Sequence, residues 1–165
     1  MKTEENLKNA FAGESQANRR YLAFAKKAEE DGFKQVAKLF RGAADAETVH
    51  ALNHLRVLKG VKTTEENLKQ AIEGETHEFQ EMYPEMIKDA EEEKEALALF
   101  AFKVANAVEE VHAGLYKKAL DSVKSGKDME STDVFVCQIC GNTVEGEAPD
   151  ECPICKAPKK MFNKI

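Results

Sequence analysis

The sequence has no tryptophan, few aromatic residues and no cysteine before residue 137. Aromatic residues make up 7% of the chain and charged residues 33%, a balance that suits a helical bundle better than a β-sandwich. A net charge of −6 without a clustered basic patch argues against nucleic acid as a partner. No apolar run approaches the roughly 20 residues of a membrane span, and residues 1–5 lack the pattern of a signal peptide. We therefore expect a cytoplasmic protein with no membrane partner.

Four long segments repeat apolar residues at intervals of three and four positions, which predicts four helices. We expect them over about residues 3–30, 33–59, 64–88 and 95–124, with an acidic turn at 89–94. Thr3 is expected to cap the first helix, and Thr63 or Thr64 the third. Gly60 should end the second helix in a left-handed conformation. Pro84 should kink the third helix.

The middle of each predicted apolar stripe carries a carboxylate. In the second helix Glu47 and His50 continue the spacing of the apolar residues, and Glu109 and His112 repeat the Glu-x-x-His pattern in the fourth. Residues three apart on a helix face the same way, so each pair shares one face. The first and third helices add acids at corresponding places: Glu14, Glu75 and Glu78.

Carboxylates on a buried face need a cationic partner, because an unpaired buried charge is strongly unfavourable. A single Glu-x-x-His pair on a buried face is explained if its two side chains pair with each other or if they point into a solvated groove between helices. A Glu from each of two helices with Glu-x-x-His from two others is the ligand set of di-iron and di-manganese carboxylate bundles. The coincidence on four helices favours a centre of two divalent metal ions.

The composition changes after residue 130. Short β-type runs with glycine and proline follow, so we expect a helical bundle over residues 1–130 and a small β domain over 131–165. This tail holds all four cysteines, in two Cys-x-x-Cys pairs: Cys137, Cys140, Cys152 and Cys155. Such pairs predict a tetrathiolate metal site that supplies much of the tail's stability. Zinc and iron both accept four thiolates, and the tail by itself favours a structural zinc.

Over its whole length the chain resembles the rubrerythrins. The resemblance rests on the two Glu-x-x-His motifs, on the Cys-x-x-Cys pairs and on three stretches: Ala12-Gly13-Glu14-Ser15-Gln16-Ala17, Gly74-Glu75-x-x-Glu78 and Glu81-Met82-Tyr83-Pro84. It implies a mainly α fold, with a ferritin-like four-helix bundle before a rubredoxin-like metal-knuckle β domain. It also implies a non-haem di-iron centre and a mononuclear iron bound by four cysteines, with zinc as a substitute in recombinant material.

The resemblance further implies a peroxidase that reduces hydrogen peroxide to water in defence against oxidative stress. A separate reductase or rubredoxin, linked to NADH or NADPH, would deliver electrons through the tail iron. Two other functions stay open: a ferroxidase or iron-storage protein on the same carboxylate bundle, and a non-enzymatic electron carrier. Lys156 stands where rubredoxins usually have glycine, which leaves the reduction potential of the tail undetermined.

The resemblance also assigns roles to the bundle ligands. Glu47 and Glu109 match carboxylates that bridge the two irons. Glu14 matches the terminal ligand of one iron, and Glu75 with His112 match the terminal ligands of the other.

Four further residues match positions on or near the di-iron centre of the family. Glu78 and His50 match a pair that exchanges on the first iron, with the carboxylate bound to ferric and the imidazole to ferrous iron. The harder ferric ion favours the anionic oxygen donor, which makes the exchange chemically reasonable. Tyr21 and Tyr83 match tyrosines near the centre, where each is either a packed core residue or a group that handles protons.

The link between the second and third helices is short, which bears on assembly. If these helices ran parallel beside one centre, the link would have to climb about 33 Å past the ligands. Residues 60–64, fully extended, span only about 17 Å. We therefore expect a helix-swapped homodimer, in which helices one and two pack with helices three and four of the partner. A simple up-down-up-down bundle is the alternative.

Overall fold

Helices account for most of the chain, as the apolar spacing predicts. The computed structural model describes all 165 residues, and the chain divides into two compact units, residues 1–62 and 63–165. None of the helices combines the length and apolar character needed to cross a bilayer. The helical elements are α1 (Lys2–Glu30), α2 (Lys34–Val57), α3 (Thr64–His77), a π-helical segment (Glu78–Met82), α4 (Tyr83–Glu92) and α5 (Ala96–Lys124).

The first unit is a hairpin of α1 and α2. The chain reverses at residues 31–33, where Gly32 has a φ of 86°, a left-handed value that glycine adopts without steric cost. Asn18 is the buried polar residue of the hairpin, and its Nδ2 donates to the carbonyl of Ala44 at 2.7 Å and to Thr48 Oγ1 at 2.8 Å. Small side chains elsewhere let the helices approach closely; the buried alanines are Ala25, Ala28, Ala37, Ala44 and Ala51.

A capping box opens the second unit. Thr63 Oγ1 accepts the backbone N–H of Glu66 at 3.3 Å, and the Glu66 carboxylate accepts the backbone N–H of Thr63 at 3.2 Å, which confirms Thr63 as the cap. Pro84 lies in the first turn of α4. Directly before it the helix widens into the π segment, where the Tyr83 N–H bonds to the carbonyl of Glu78, five residues earlier. The expected disturbance therefore takes the form of a π turn that begins at Glu78.

The tail folds as a three-stranded antiparallel sheet. Its strands are β1 (Val134–Cys137), β2 (Thr143–Glu145) and β3 (Phe162–Lys164), in the order β2-β1-β3. Phe135 pairs with Val144 on one side of β1, and Val136 pairs with Asn163 on the other. The small core contains Phe162 and two of the cysteines, so the predicted metal site is also the centre of the tail's packing.

Two expected helix boundaries are wrong. Thr3 does not cap α1, because the helix starts one residue earlier, with Met1 at the N-cap and no side-chain cap. The acidic turn expected at 89–94 is confined to its last two residues, because α4 continues to Glu92 and the chain reverses at 93–94. Lys94 takes the left-handed φ of 61° at this reversal.

The end of α2 also differs from expectation. Lys59, not Gly60, is the left-handed residue, with a φ of 54°. Gly60 meets a different requirement, since a Cβ there would lie 2.3 Å from Cδ1 of Leu55. A larger residue at position 60 would therefore require the Leu55 side chain to shift, whereas the backbone there does not take the left-handed conformation.

Candidate metal centres

The first cluster of ligands, the α1–α2 half-site, consists of Glu14, Glu47 and His50. One ligand atom from each lies within 4.8 Å of the others. The Glu-x-x-His spacing puts Nδ1 of His50 2.8 Å from Oε2 of Glu47, as expected for residues one turn apart. The Glu47 side chain is 17% exposed, whereas that of His50 is 54% exposed. The imidazole is therefore held by one neighbour and is otherwise open.

The second cluster, the α3–α5 half-site, consists of Glu75, Glu109 and His112. Its ligand atoms also lie within 4.8 Å of one another. Nδ1 of His112 is 2.7 Å from Oε2 of Glu109, which reproduces the arrangement in the first half-site. Here the imidazole is more enclosed, with 24% of its side chain exposed. The two Glu-x-x-His motifs thus each meet the glutamate predicted to accompany them.

Burial and neighbouring carboxylates raise the pKa values of two glutamates at the second half-site. Burial, and then the negative charge of Glu109, raise the pKa of Glu75 to about 7. The same two causes raise the pKa of Glu78. A bound divalent cation would reverse this effect by favouring the ionised carboxylates. Each half-site supplies two carboxylates and one imidazole, a donor set that fits iron or manganese.

Glu78 lies beside the α3–α5 half-site without joining its three converging ligands. It begins the π segment, a widened turn of the kind that often occurs at functional sites. Tyr83 follows that segment, and its ring packs on Phe102 with centroids 6.3 Å apart. Burial, then the charges of Glu109, Glu78 and Glu75, raise the pKa of Tyr83. Tyr83 therefore lies close enough to sense all three carboxylates.

Tyr21 has a different environment. Its ring packs against Phe24 and Phe40, with centroid distances of 6.3 Å and 6.2 Å. Phe24 and Phe40 themselves meet edge to face at 5.6 Å. These are the surroundings of a packed aromatic residue in the α1–α2 hairpin.

The four cysteines converge in the tail. Sγ of Cys137 is 3.6 Å from Sγ of Cys155, and Sγ of Cys140 is 3.6 Å from Sγ of Cys152. All four sulfurs lie within 4.8 Å of one another and none forms a disulfide. A tetrahedron of sulfurs about 2.3 Å from a metal has edges of about 3.8 Å. The cluster therefore fits a tetrahedral metal ion.

Backbone N–H groups favour the thiolate form of one of these cysteines, Cys152, whereas burial raises the pKa of Cys140 and Cys155. Burial acts to raise the pKa of Cys152, but the N–H groups of Cys155 and Ile154 lower it to about 7. Lys156 takes the left-handed φ of 64° at the knuckle position where rubredoxins usually have glycine. Its N–H still closes the turn on the carbonyl of Cys152 at 3.0 Å. The lysine thus reproduces the knuckle backbone at the expense of some strain.

Two polar residues after the first knuckle were not anticipated. Asn142 is 2% exposed, and its Nδ2 donates to Sγ of Cys152 at 3.8 Å. Thr143 Oγ1 lies 3.0 Å from Nε2 of His112. Their partners are 10 and 31 positions away in sequence, so no spacing pattern marks them. One sequence feature could have suggested them: Asn142 and Thr143 are adjacent polar residues at the start of an extended segment, where neighbouring side chains point to opposite sides.

Comparison with known proteins agrees with this arrangement. The family model for rubrerythrin matches residues 5–120, and that for the rubrerythrin rubredoxin-like domain matches residues 135–163. The chain is 36% identical to Rubrerythrin-2 of Clostridium acetobutylicum over 97% of this chain and 95% of the relative. It is 37% identical to nigerythrin of Nitratidesulfovibrio vulgaris, over 97% and 85% respectively.

Solved structures give the same result. A mixed-valence structure of nigerythrin has a TM-score of 0.58 at 35% identity, and a fully reduced, all-ferrous one has 0.59 at 34%. Each comparison covers 99% of this chain and 86% of the other.

Proposed function

Because this chain belongs to the rubrerythrin family, we propose that it is a cytoplasmic peroxidase that reduces hydrogen peroxide to water. The observation that carries the proposal is the extra carboxylate, Glu78, beside a complete Glu, Glu-x-x-His half-site in a chain that also has a tetrathiolate tail. Iron storage needs neither the extra carboxylate nor the tail. A separate reductase or rubredoxin, linked to NADH or NADPH, delivers the electrons.

The reaction consumes two electrons and two protons for each hydrogen peroxide and yields two waters. Iron bound by the two half-sites would supply the two electrons that break the O–O bond, and iron bound by the four cysteines would restore them. The side chains must then deliver the protons and hold the reacting groups in place. Tyr83 suits the proton role by its position, because its hydroxyl, which is protonated at neutral pH, lies near the carboxylates of Glu109, Glu78 and Glu75. Glu75, with a pKa of about 7 before a metal binds, gives up its proton when it becomes a ligand.

The proposed exchange between Glu78 and His50 agrees with the freedom of both side chains. Glu47 is the hydrogen-bond partner of His50, whose side chain is 54% exposed, so the ring can turn toward or away from a metal at little cost. Glu78 starts the π segment, where the backbone departs from regular α geometry. A carboxylate suits the ferric state and an imidazole the ferrous state.

Single-turnover kinetics test the peroxidase proposal. Iron-loaded protein is reduced without oxygen and mixed with hydrogen peroxide in a stopped-flow instrument. One peroxide should oxidise one di-iron centre, much faster than oxygen does. Protein with zinc in place of iron in the tail, which the four cysteines also accept, should keep this first turnover and lose sustained turnover with reduced rubredoxin. If the protein instead accumulates many ferric ions per chain from ferrous iron and oxygen, it is an iron-storage protein. If peroxide oxidises neither iron site, it is an electron carrier.

Chain reach supports the helix-swapped homodimer. Glu47 lies ten residues before the end of α2, and Glu75 lies eleven residues after the start of α3. With parallel helices at one centre, the link would have to cover about 31 Å. The link from Val57 to Thr64 is seven residue steps, which span at most about 25 Å. The left-handed turn at Lys59 shortens this reach further. Each complete centre would therefore combine half-sites from two chains.

The single chain exposes large apolar side chains that such a dimer would bury. In α2, Leu39 is 72% and Leu52 is 58% exposed, and in α5, Leu97 is 87% and Phe100 is 54% exposed. Burial of such side chains stabilises an interface by about 25 cal/mol for each Å² removed from water. The second copy of the chain is the occupant that would also complete the ligand set.

A further inference from the structure

The tail contacts α5 through a ligand of the proposed di-iron centre. Nε2 of His112 lies 3.0 Å from Oγ1 of Thr143, the first residue of β2. The knuckle glycine Gly141 lies over the buried Val108, one turn before His112, where an added Cβ would come within 3.8 Å of Val108 Cγ1. Both contacts lie on one face of α5, so the first knuckle rests directly on the α3–α5 half-site.

Counting protons determines the direction of the hydrogen bond to His112. Thr143 Oγ1 also lies 3.1 Å from the carbonyl oxygen of Gly141, which can only accept. The hydroxyl has one proton, and it is donated to that carbonyl. The hydroxyl must then accept from His112, so Nε2 carries a proton. A ring that donates from Nε2 leaves Nδ1 as its metal-binding atom. Nδ1 lies 2.7 Å from Oε2 of Glu109 and faces the other ligands, so a cation must lie between these two acceptors.

We propose that Thr143 is a positioning residue that holds His112 as an Nδ1 metal ligand through the chain His112 Nε2–H, Thr143 Oγ1–H, Gly141 carbonyl. The inference rests on the proposed function only in taking a metal as the occupant of the half-site. His50 is the internal contrast, because its Nδ1 meets Glu47 in the same way while its side chain is half exposed. Of the two Glu-x-x-His motifs, one has an anchored histidine and the other a free one.

The proposal gives the tail a second task besides carrying electrons. The loop that holds Cys140 also orients a bundle ligand, since Gly141 directly follows that cysteine and its N–H bonds to the carbonyl of Cys137 at 2.8 Å. Displacing the tail from α5 would therefore free His112, and moving His112 would disturb the knuckle. The geometry of His112 as a ligand and the docking of the tail on α5 therefore depend on each other.

Nitrogen NMR of protein loaded with zinc at both kinds of site tests the proposal without redox chemistry. Zinc is diamagnetic and accepts both donor sets. Long-range ¹H–¹⁵N spectra identify the ring nitrogen that binds metal, and a His112→Gln variant assigns the signal. Thr143→Val removes the hydroxyl at nearly constant volume, whereas Thr143→Ser keeps it. Lys118→Met is the matched control, because it breaks another contact of the tail with α5, the 2.5 Å ion pair with Glu145, and leaves the hydroxyl in place.

We expect the wild type, Thr143→Ser and Lys118→Met to bind metal through Nδ1 and to show a slowly exchanging Nε2 proton. In Thr143→Val that proton should exchange at least about fivefold faster, the factor expected for loss of one net hydrogen bond. Metal bound through Nε2 in the wild type would overturn the proposal. So would a protected Nε2 proton in Thr143→Val, or loss of protection in Lys118→Met alone. Because no turnover is measured, these outcomes are independent of whether peroxide is the substrate.

Discussion

Two inactive variants should restore each other if helices are exchanged between chains. Glu47→Ala damages the α1–α2 half-site, and Glu109→Ala damages the α3–α5 half-site; each leaves one carboxylate and one imidazole there. In a swapped heterodimer, one centre combines both damaged halves and the other combines both intact halves. In an unswapped dimer every centre contains one damaged half.

The expected recovery follows from counting centres. Homodimers of either variant have no intact centre. A heterodimer isolated with two different affinity tags should have half of the wild-type activity for each dimer, because one of its two centres is complete. Random assembly from equal amounts makes about half of the dimers heterodimers, so the mixture should recover about a quarter of wild-type activity. Bundle-bound iron should recover in the same proportions.

The assay is peroxide consumption by co-expressed, doubly purified heterodimer, with each homodimer as the control. Mixing the purified homodimers without unfolding provides a second control, since established dimers exchange helices only slowly. A heterodimer as inactive as its parents would show that each centre takes all its ligands from one chain, and the argument from the length of the link would then be wrong.

Four further predictions follow from the centres. Protein from iron-replete medium should contain three irons per chain, two bundle-type and one tetrathiolate by Mössbauer spectroscopy; zinc in the tail of such a sample would contradict the electron route. Glu78→Ala should slow oxidation of the reduced protein by peroxide in stopped-flow measurements while keeping both bundle metals, and His50→Ala should act mainly on the ferrous state; wild-type rates in both would exclude ligand exchange. Asn142→Leu should lower the tail's reduction potential by on the order of 50 mV, because the N–H···S bond stabilises the more negative reduced state; spectroelectrochemistry measures this, and an unchanged potential would refute it. Because burial and the charge of Glu109 raise the pKa of Glu75 from its ordinary value of 4.5 to about 7, the metal-free protein should lose stability as pH rises between these values; urea unfolding of Glu75→Gln should lack that dependence.

Local periodicity explains which parts of the molecule could be predicted from sequence. Glu47 and His50 are one turn apart, as are Glu109 and His112, so helical geometry alone places each pair together. The Thr63 cap follows in the same way from Glu66 three residues later. The tetrathiolate cluster was predictable because its spacing is specific to metal knuckles.

Tertiary contacts explain what could not be predicted. Lys59, and not Gly60, takes the left-handed conformation because α2 ends at Val57, two residues earlier than expected. Pro84 predicts a disturbed helix but not whether a kink or a π turn absorbs it. The contacts of Asn142 and Thr143 depend on how the tail folds and where it meets α5.

The single amide buried in the α1–α2 hairpin has a consequence for alignment. The alanines alone would fix the alignment of the two helices weakly, since a slide by one turn, about 5.4 Å, would bring alanines against other small residues. The packing of Tyr21 and Phe24 on Phe40 and the hydrogen bonds of Asn18 both oppose such a slide. Such a slide exceeds the 4.8 Å within which the ligand atoms of Glu14, Glu47 and His50 converge. Asn18 opposes it, because the slide would break the bonds from its buried Nδ2 to the Ala44 carbonyl and to Thr48 Oγ1. The polar side chain thus selects one register for the hairpin, much as a buried asparagine does in a coiled coil, and this register brings Glu14 on α1 to Glu47 and His50 on α2.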